Sequence, residues 1–472
     1  MEKNVKKIFS GAVILAAGTF IAKLLGAIYR IPLTRIIGVE GLGLYQMIFP
    51  VYTLLLEFSG IAVPNALSKI ISSYDGNTNG ERYARKVLKT GITFFALLGA
   101  FLSLITALFS GVIAKAQGNI SAKNLYVAIS PSVFLVSLIC CFRGYFQGRM
   151  NMFPTALSQV IEQAVKLIAG LSFSAIFMPD IIAASTAGAL AVTLSELSAF
   201  IYLFFKYRKT VKALPRIKIS VDKTDYRITL KKILYYAVPI AFTGVLLPLS
   251  KVADSFIIIN GIAAYREDAT ALYGIFSGVA VTIVGLPVAL CYGIATVVVP
   301  AVSRECAIKS GERDSTRGTV AYKSLMLTAA VSGAGATACY FFAPLIVEIL
   351  YGYLAADYKE IAVLLLKTVS PCVFLLSILQ TLNAVLIGKG KPKLPLLGLF
   401  FGVTLKIIIE SLVVSDPKIN IYGAGYGAIA CYFVADLVNF ICVIYISAKE
   451  KVSESAIKSN GYTRYKSGQK IY

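Results

Sequence analysis

The chain has 472 residues, of which 57% are hydrophobic and 15% are charged, and it contains no histidine. A soluble protein averages about a quarter charged residues, so this composition excludes an ordinary soluble globular domain. The formal net charge is +22. Because the positive residues lie mainly in short stretches between apolar runs, they argue against nucleic-acid binding and are typical of membrane-protein connections.

Apolar runs of about twenty residues, the length of a helix that crosses a bilayer, recur along the whole chain. They predict an all-α integral membrane protein with about twelve transmembrane helices. The predicted spans are approximately residues 8–33, 44–70, 90–114, 124–147, 155–178, 182–205, 231–259, 271–300, 321–347, 361–387, 394–414 and 424–447.

The distribution of Lys and Arg predicts the orientation, because cytoplasmic connections are enriched in both. With the N-terminus, the even-to-odd connections and the C-terminal tail in the cytoplasm, those segments contain 33 of the 46 Lys and Arg residues. The outward connections contain only 6. We therefore predict a multi-pass protein with both termini in the cytoplasm.

The most basic connection lies near the middle of the chain and divides it into two halves of six spans. We predict an N-terminal six-helix lobe (1–206), a basic cytoplasmic linker (207–230), a C-terminal six-helix lobe (231–448) and a polar cytoplasmic tail (449–472). Each half has an even number of spans, so both halves begin on the same side of the membrane.

The two halves show a sequence similarity that indicates parallel repeats. A short turn contains Gly148 in the first half and Gly388 in the second, and a lysine follows each glycine after eighteen residues, at Lys166 and Lys406. Parallel repeats are related by an axis along the membrane normal, and transporters of this type bind substrate between the halves near the bilayer midplane.

Charged residues inside the predicted spans are the candidates for a functional site. Each costs at least about 2.5 kcal/mol at the bilayer centre, so each needs a partner, a hydrated cavity or a function. The candidates for a cationic substrate-binding cavity are Lys23, Arg30, Arg143, Lys166, Lys251 and Lys406. The candidate ion-coupling or pairing carboxylates are Glu57, Glu162, Asp254 and Glu410.

Some of these charges have partners at helical spacing. Three pairs are three or four residues apart, so that their members share a helix face: Glu162/Lys166, Lys251/Asp254 and Lys406/Glu410. The spacing leaves two interpretations open for such pairs. They neutralise each other as structural pairs, or they face a common cavity.

Lys23 and Arg30 form a different pattern. They are seven residues apart, hence on one face of the first span, and no acidic residue of that span lies near them. Such cations need a hydrated cavity, where they could bind an anion such as pyrophosphate. The alternative is an ion pair with Glu57 or Asp254 of neighbouring spans. The wholly cationic first span favours an anionic substrate.

Several segments resemble a known family. They are Lys23-Leu24-Leu25-Gly26, Arg35-Ile36-Ile37-Gly38, Gly41-Leu42-Gly43-Leu44-Tyr45-Gln46 and the run from Ala295 to Arg304. Their order and spacing resemble the polysaccharide-export, stage V sporulation protein B-like branch of the multidrug/oligosaccharidyl-lipid/polysaccharide flippase superfamily, which includes lipid II flippases.

This resemblance implies a MATE-like, V-shaped arrangement of two six-helix lobes around a cationic cavity, with alternating access. It implies a bacterial plasma-membrane protein that moves an undecaprenyl-pyrophosphate-linked peptidoglycan or polysaccharide precursor to the outer leaflet. The implied partners are this lipid-linked glycan, membrane lipids and proteins of cell-wall synthesis.

The sequence departs from the lipid II flippases in two respects. In those proteins, cavity arginines in spans 1, 2 and 8 are thought to hold the pyrophosphate. Lys23 matches the first of these, whereas span 2 has no matching cation and span 8 has none before Arg304. Arg30, Lys251 or Arg143 could substitute, or the substrate could differ. Lipid II flippases also commonly have fourteen spans, not twelve.

The sequence contains no recognisable catalytic motif. Without histidine there is no histidine general base and no HExxH zinc site, and no phosphate-binding GxxxxGK[ST] motif occurs. We therefore predict neither an enzyme nor a bound cofactor or metal, and an ion gradient or the membrane potential as the energy source. A multidrug/cation antiporter on the same fold and a non-transporting scaffold for cell-wall synthesis remain the alternatives.

Overall fold

A computed structural model describes residues 2–74, 80–212, 223–307 and 319–466 of the chain. The helices of the first half are α1 (Glu2–Leu56), α2 (Val63–Ser72), α3 (Gly80–Leu108), α4 (Ser110–Ala116), α5 (Lys123–Gly148), α6 (Phe153–Ile176) and α7 (Ile181–Lys212). Those of the second half are α8 (Lys223–Gly244), α9 (Leu246–Ala263), α10 (Ala269–Tyr273), α11 (Val281–Ala307), α12 (Thr319–Phe341), α13 (Ala343–Tyr351), α14 (Ala356–Val369), α15 (Pro371–Gly388), α16 (Leu394–Val413) and α17 (Tyr422–Lys466). Short π-helical turns, Glu57–Ile61 and Gly274–Ala280, join α1 to α2 and α10 to α11, and a 3₁₀ turn, Ile120–Ala122, precedes α5.

These helices follow the predicted spans. Within the described ranges, ten segments are long and apolar enough to cross a membrane. One of them, Ala17–Ser72, has 56 residues, whereas a single crossing takes about 20. It bends at Gly38, whose φ of 68° and ψ of −177° suit glycine, and it therefore contains the first two predicted spans.

The fifth predicted span is α6, which is not among those ten segments. Four polar residues (Gln159, Glu162, Gln163 and Lys166) make it less apolar than its neighbours. It nevertheless packs lengthwise between α1 and α7. The all-α integral membrane fold predicted from the sequence is confirmed.

The helices extend beyond the boundaries that the composition suggested. The predicted linker, 207–230, is helical where it is described, because α7 continues to Lys212 and α8 begins at Lys223; residues 213–222 lie outside the described part of the chain. Similarly, α17 continues to Lys466, within the predicted tail. Lys, Arg and Glu are good helix formers, so a change from apolar to charged composition need not end a helix.

The two turns that suggested an internal repeat have the same backbone geometry. In both, the second and third residues after the glycine donate hydrogen bonds to the carbonyls one and two residues before it. Met150 and Gly390, at matching positions, both have positive φ angles, 55° and 73°. Gly148 packs against α2, and Gly388 packs against α11, in the second span of each half. This correspondence supports the relation between the halves.

The halves contact each other closely at the end that the charge distribution places outside the cell. Gly43 of α1 lies against the backbone of Thr270 and Gly274, with no room for a side chain. The side-chain amide of Gln117 donates to the hydroxyl of Ser255 at 2.9 Å. The two halves are therefore joined at the predicted outer end.

Further hydrogen bonds strengthen this outer contact. Asn119 donates to the Thr270 hydroxyl at 2.9 Å, and Asn260 donates to the carbonyl of Ala116 at 3.0 Å. All four residues lie in or beside predicted outward connections. At the opposite end, α8 packs against α2 and α3, whereas α9 packs against α16. The seventh span, formed by α8 and α9, therefore contacts both halves.

Candidate functional site

A central cavity of about 830 Å³ lies between the two halves. Its walls come from α1, α5 and α6 of the first half and from α11 and α15 of the second. The charged and polar residues that line it are Thr19, Lys23, Arg30, Arg143, Gln159, Glu162, Gln163, Lys166, Thr282, Tyr292 and Gln380. It thus contains four cationic side chains and one carboxylate.

Lys23 crosses the cavity from α1 to the other half. Its Nζ lies 3.7 Å from the centre of the Tyr292 ring on α11, and its side chain is exposed. Such a cation–π contact stabilises by about 0.5–1 kcal/mol at an exposed site, less than an ion pair with a buried carboxylate. The ammonium group is therefore held in place and remains available to an anion.

Arg30 lies two helical turns further along the same face of α1. Its Nη1 donates to the hydroxyl of Thr282 at 2.9 Å, again across the interface between the halves. Within the described residues, neither Lys23 nor Arg30 forms an ion pair with a carboxylate. The alternative pairing with Glu57 or Asp254 is therefore not observed.

Arg143 has a carboxylate partner. Its Nη2 lies 3.0 Å from Oε2 of Glu162, and its Nε donates to the hydroxyl of Ser158 at 3.0 Å. Glu162 thus pairs with a residue of the neighbouring helix α5, not with Lys166 of its own helix. The pairing suggested by helical spacing is not observed, because the planar guanidinium of Arg143 meets the carboxylate directly.

Lys166 occupies the aromatic wall of the cavity. Its Nζ lies 5.4 Å from the ring centre of Tyr29 and 5.3 Å from that of Phe49. No carboxylate among the described residues lies within ion-pair distance of it. The cavity therefore combines the Arg143–Glu162 pair with three cations, Lys23, Arg30 and Lys166, that lack such a partner.

A second charged cluster lies in the other half, away from the cavity lining. Lys406 of α16 forms ion pairs with Asp254 of α9 and with Glu410, whose Oε1 is 3.7 Å from the ammonium nitrogen. All three side chains are buried. Lys406 was predicted to line the cationic cavity, but it is neutralised by carboxylates within the second half.

Lys251 does not form the predicted pair with Asp254, since that carboxylate is bound by Lys406. Its side chain is exposed and lies within electrostatic reach of Arg30. Glu57 lies in the π-helical turn after α1, where its carboxyl group faces Gly244 at the end of α8. Neither residue lines the central cavity.

Some lining residues were not predicted from the sequence. Tyr292, Thr282 and Gln380 lie in apolar runs, where an uncharged residue does not stand out. A signal did exist on α6, where Gln159 and Gln163 have the helical spacing that puts them on the face of Glu162 and Lys166. In the part of the chain that the structure describes, no group of three potential metal ligands occurs.

Two six-helix halves that enclose a polar cavity at their interface are the architecture of a membrane transporter. Comparison with known proteins agrees with this class. The sequence profile of the polysaccharide biosynthesis protein family matches residues 8–305, and the chain belongs to this family.

Individual relatives cover nearly the whole chain. It is similar to stage V sporulation protein B of Bacillus subtilis (strain 168), with 26% identity over 460 residues, 96% of this chain and 85% of the relative. It is also similar to the lipid II flippase MurJ of the same organism, with 25% identity over 457 residues, 90% of this chain and 81% of the relative.

The fold is similar to that of a solved multidrug resistance MATE family transporter of the MOP superfamily in an inward-facing conformation. The TM-score is 0.75 at 16% sequence identity, and the match covers 91% of this chain and 96% of that chain. The predicted relationship to polysaccharide-export proteins and stage V sporulation protein B is confirmed, as is the MATE-like architecture.

Proposed function

We propose that this transporter flips an anionic, undecaprenyl-pyrophosphate-linked cell-wall precursor from the cytoplasmic to the outer leaflet of a bacterial plasma membrane. The observation that carries this proposal is the excess of positive charge in the central cavity, where Lys23, Arg30 and Lys166 have no carboxylate partner among the residues that the structure describes. A cationic drug would be repelled by this arrangement, whereas a pyrophosphate would replace weak cation–π contacts with charge-assisted hydrogen bonds.

The placement of the cations also suits a bulky amphipathic substrate. Lys23 and Arg30 both touch the opposite half, through Tyr292 and Thr282, so an anion bound to them contacts both halves. Because the halves are joined at the outer end, this conformation would receive its substrate from the cytoplasm. Movement of one half against the other would then release it outside.

The names of the relatives support the substrate class. One is a lipid II flippase, and the family is described as polysaccharide biosynthesis proteins. Both descriptions concern glycans of the cell envelope, and a glycan on a polyprenyl carrier bears the pyrophosphate that the cavity suits. Peptidoglycan and polysaccharide precursors share this group, so the cavity charge favours the carrier and not a particular sugar.

A flipping assay in liposomes tests the proposal. Purified protein is reconstituted, and transport of a fluorescent undecaprenyl-pyrophosphate glycan is compared with uptake of a cationic dye. We expect flipping of the glycan lipid and no uptake of the dye. The Lys23→Glu and Arg30→Glu variants should each flip at least about tenfold more slowly, because a charge-assisted hydrogen bond contributes about 1.5–3 kcal/mol.

Lys323→Glu provides the matched control. This lysine is exposed near the start of α12 and lies outside the cavity, so the same reversal of charge should leave flipping unchanged. Undiminished flipping by both cavity variants would refute the role of the cations. Uptake of the dye would favour a multidrug antiporter, and activity of neither kind would favour a scaffold.

For energy coupling we propose the membrane potential or an ion gradient, with Glu57 and Asp254 as candidate carboxylates. Of these, Glu57 has no ion-pair partner among the described residues and lies where α1 gives way to a π-helical turn, a feature common at functional sites. Imposing and then dissipating a potential across the same liposomes should accelerate and then slow the flipping. The Glu57→Gln variant should lose that response if this carboxylate carries the coupling.

A further inference from the structure

A second cavity, of about 520 Å³, lies at the predicted cytoplasmic end between α2, α3 and α8. We name it the interfacial cleft, and it shares no lining residue with the central cavity. Its walls come from both halves of the molecule, because α2 and α3 belong to the first half and α8 to the second. It lies beside the connections that the charge distribution assigns to the cytoplasm.

The charged residues that line the interfacial cleft in the described part of the chain are all cationic. They are Lys69, Lys231 and Lys232, and no described carboxylate lines it. The Nζ of Lys69 lies 4.3 Å from the ring centre of Tyr236, while Lys231 and Lys232 are exposed. In the described ranges none of the three forms an ion pair. Asp225, the acidic residue of α8, is instead held by Lys86 of α3 at 2.7 Å.

Four tyrosines surround these lysines. The rings of Tyr74 and Tyr83 are in contact, with centres 3.8 Å apart and planes tilted by 33°, and Tyr235 and Tyr236 follow on α8. A hydrogen bond from Tyr83 and the positive charge of Lys232 lower the pKa of Tyr74. The electric field in the cleft therefore favours negative charge, and the tyrosine hydroxyls add hydrogen-bond donors.

An apolar groove continues from the cleft along α8. This groove, of about 590 Å³, shares Lys231 and Tyr235 with the cleft and extends past Leu234 and Val238. Tyr235 is 73% exposed and Phe242, further along the helix, is 66% exposed. In a membrane protein such a surface faces lipid, and tyrosines are enriched at the level of the headgroups.

We propose that the interfacial cleft binds the phosphate-bearing headgroup of an anionic lipid from the cytoplasmic leaflet, with the lipid chain lying in the groove along α8. Basic pockets between transmembrane helices on the cytoplasmic side suit such headgroups. A lipid bound there contacts both halves, and it therefore stabilises the arrangement in which α8 rests on α2 and α3.

The absence of tryptophan from the chain allows a direct test. The Tyr235→Trp variant places a single fluorescent reporter at the mouth of the cleft. It is reconstituted in phosphatidylcholine vesicles that contain phosphatidylglycerol or phosphatidylcholine with brominated chains, which quench tryptophan on contact. We expect equal quenching with at least about fivefold less brominated phosphatidylglycerol, because one lysine near the membrane surface already favours an anionic lipid by about that factor.

Two variants with equal charge separate the cleft from general surface attraction. On the reporter background, the combined Lys69→Gln, Lys231→Gln and Lys232→Gln substitutions should abolish the preference. The combined Lys323→Gln, Lys391→Gln and Lys393→Gln substitutions remove three exposed cytoplasmic cations elsewhere and should preserve it. If the first combination does not fold, Lys231→Glu is compared with Lys323→Glu, which makes the same change of charge outside the cleft. Equal quenching by both lipids, or a preference that survives in the cleft variants, would overturn the proposal.

Competition identifies the source of the headgroup. Unlabelled undecaprenyl pyrophosphate in the vesicles and soluble inorganic pyrophosphate are each added to the quenched reporter. Release of quenching by either confirms a phosphate site, and release by the polyprenyl lipid alone assigns it to the carrier lipid. If neither relieves the quenching, the headgroup site is refuted. This measurement does not depend on transport, so its result is separate from that of the flipping assay.

Discussion

Lys166 and Lys406 occupy matching positions in the two halves, yet their surroundings differ. Lys166 lies in the cavity against the rings of Tyr29 and Phe49, without a carboxylate within ion-pair distance among the described residues. Lys406 is buried between Asp254 and Glu410. A lysine at the same position thus adds an unpaired positive charge to the cavity in the first half and belongs to a neutralised, buried cluster in the second.

This difference indicates how, of two related helix bundles, only one provides the charged surface that binds an anion. An anion has to be bound by charges that are not already paired, and these lie on the walls of the first half. In the second half, a buried lysine with two carboxylates holds α9 to α16, because removing either sign of charge would leave the other unpaired away from water. Three experiments test this difference between the halves.

The largest effect is expected from disrupting the cluster of the second half. The Asp254→Ala variant leaves Lys406 without its main partner and should lose about 3–5 kcal/mol of stability, as other broken buried ion pairs do. The loss is measured as a fall in the thermal midpoint of the purified protein in detergent. Adding both Lys406→Met and Glu410→Gln should restore much of it, because no unpaired charge of the cluster then remains buried.

A thermal midpoint for Asp254→Ala equal to that of the parent protein would show that the cluster does not stabilise the fold. The matched comparison is Glu162→Ala, which opens the corresponding pair with Arg143. Since Glu162 borders the hydrated cavity, the unpaired arginine can be solvated, and the midpoint should fall less.

The next effect concerns transport and not stability. Lys166→Met removes a cavity cation that has no carboxylate to leave behind, so the thermal midpoint should change little. Flipping of the pyrophosphate lipid should fall about tenfold or more, the loss expected for one charge-assisted hydrogen bond. Both quantities are measured on the same preparation. A variant that loses stability but flips normally per folded molecule would reverse the roles assigned to the two lysines.

The smallest effect is expected at Tyr292. Tyr292→Leu removes the ring beneath Lys23 and should weaken the positioning of that cation, at a cost of about 0.5–1 kcal/mol, or about two- to fivefold in flipping at low substrate concentration. Tyr292→Phe keeps a ring and is the control, with flipping close to that of the parent. Equal losses in both variants would assign the effect to the tyrosine hydroxyl instead of the ring.

The cavity could be predicted in part from its unpaired charges. Lys23 and Arg30 are cations in an apolar span that has no acidic residue near them. Exposing a cation to lipid is costly, so each of these side chains needs a hydrated surface, whichever helices surround it. The prediction that Lys23 and Arg30 line a cavity therefore did not require knowledge of the neighbouring helices. The polar face of α6 followed from spacing in the same way.

The partners of the charges could not be predicted in this way. Spacing along a helix suggested Lys166 for Glu162 and Lys251 for Asp254, but Arg143 and Lys406 bind those carboxylates from other helices. Side chains of adjacent helices approach within hydrogen-bond distance, and a buried carboxylate pairs with the best-placed donor irrespective of distance along the chain. Tyr292 and Thr282 were not predicted as cavity residues, because an uncharged residue in an apolar run has no high cost of insertion that would indicate a function.

The all-α membrane fold could be inferred from the sequence without any structure, and the sequence predicts about twelve crossings in two related halves with the basic segments on one side. These properties follow from local quantities, since each apolar run must satisfy its own backbone hydrogen bonds and each connection carries its own charge. Which cations face the cavity and which are neutralised could not be inferred in this way, because it depends on the packing of helices that are distant in the chain. The difference between Lys166 and Lys406 arises entirely from those neighbours.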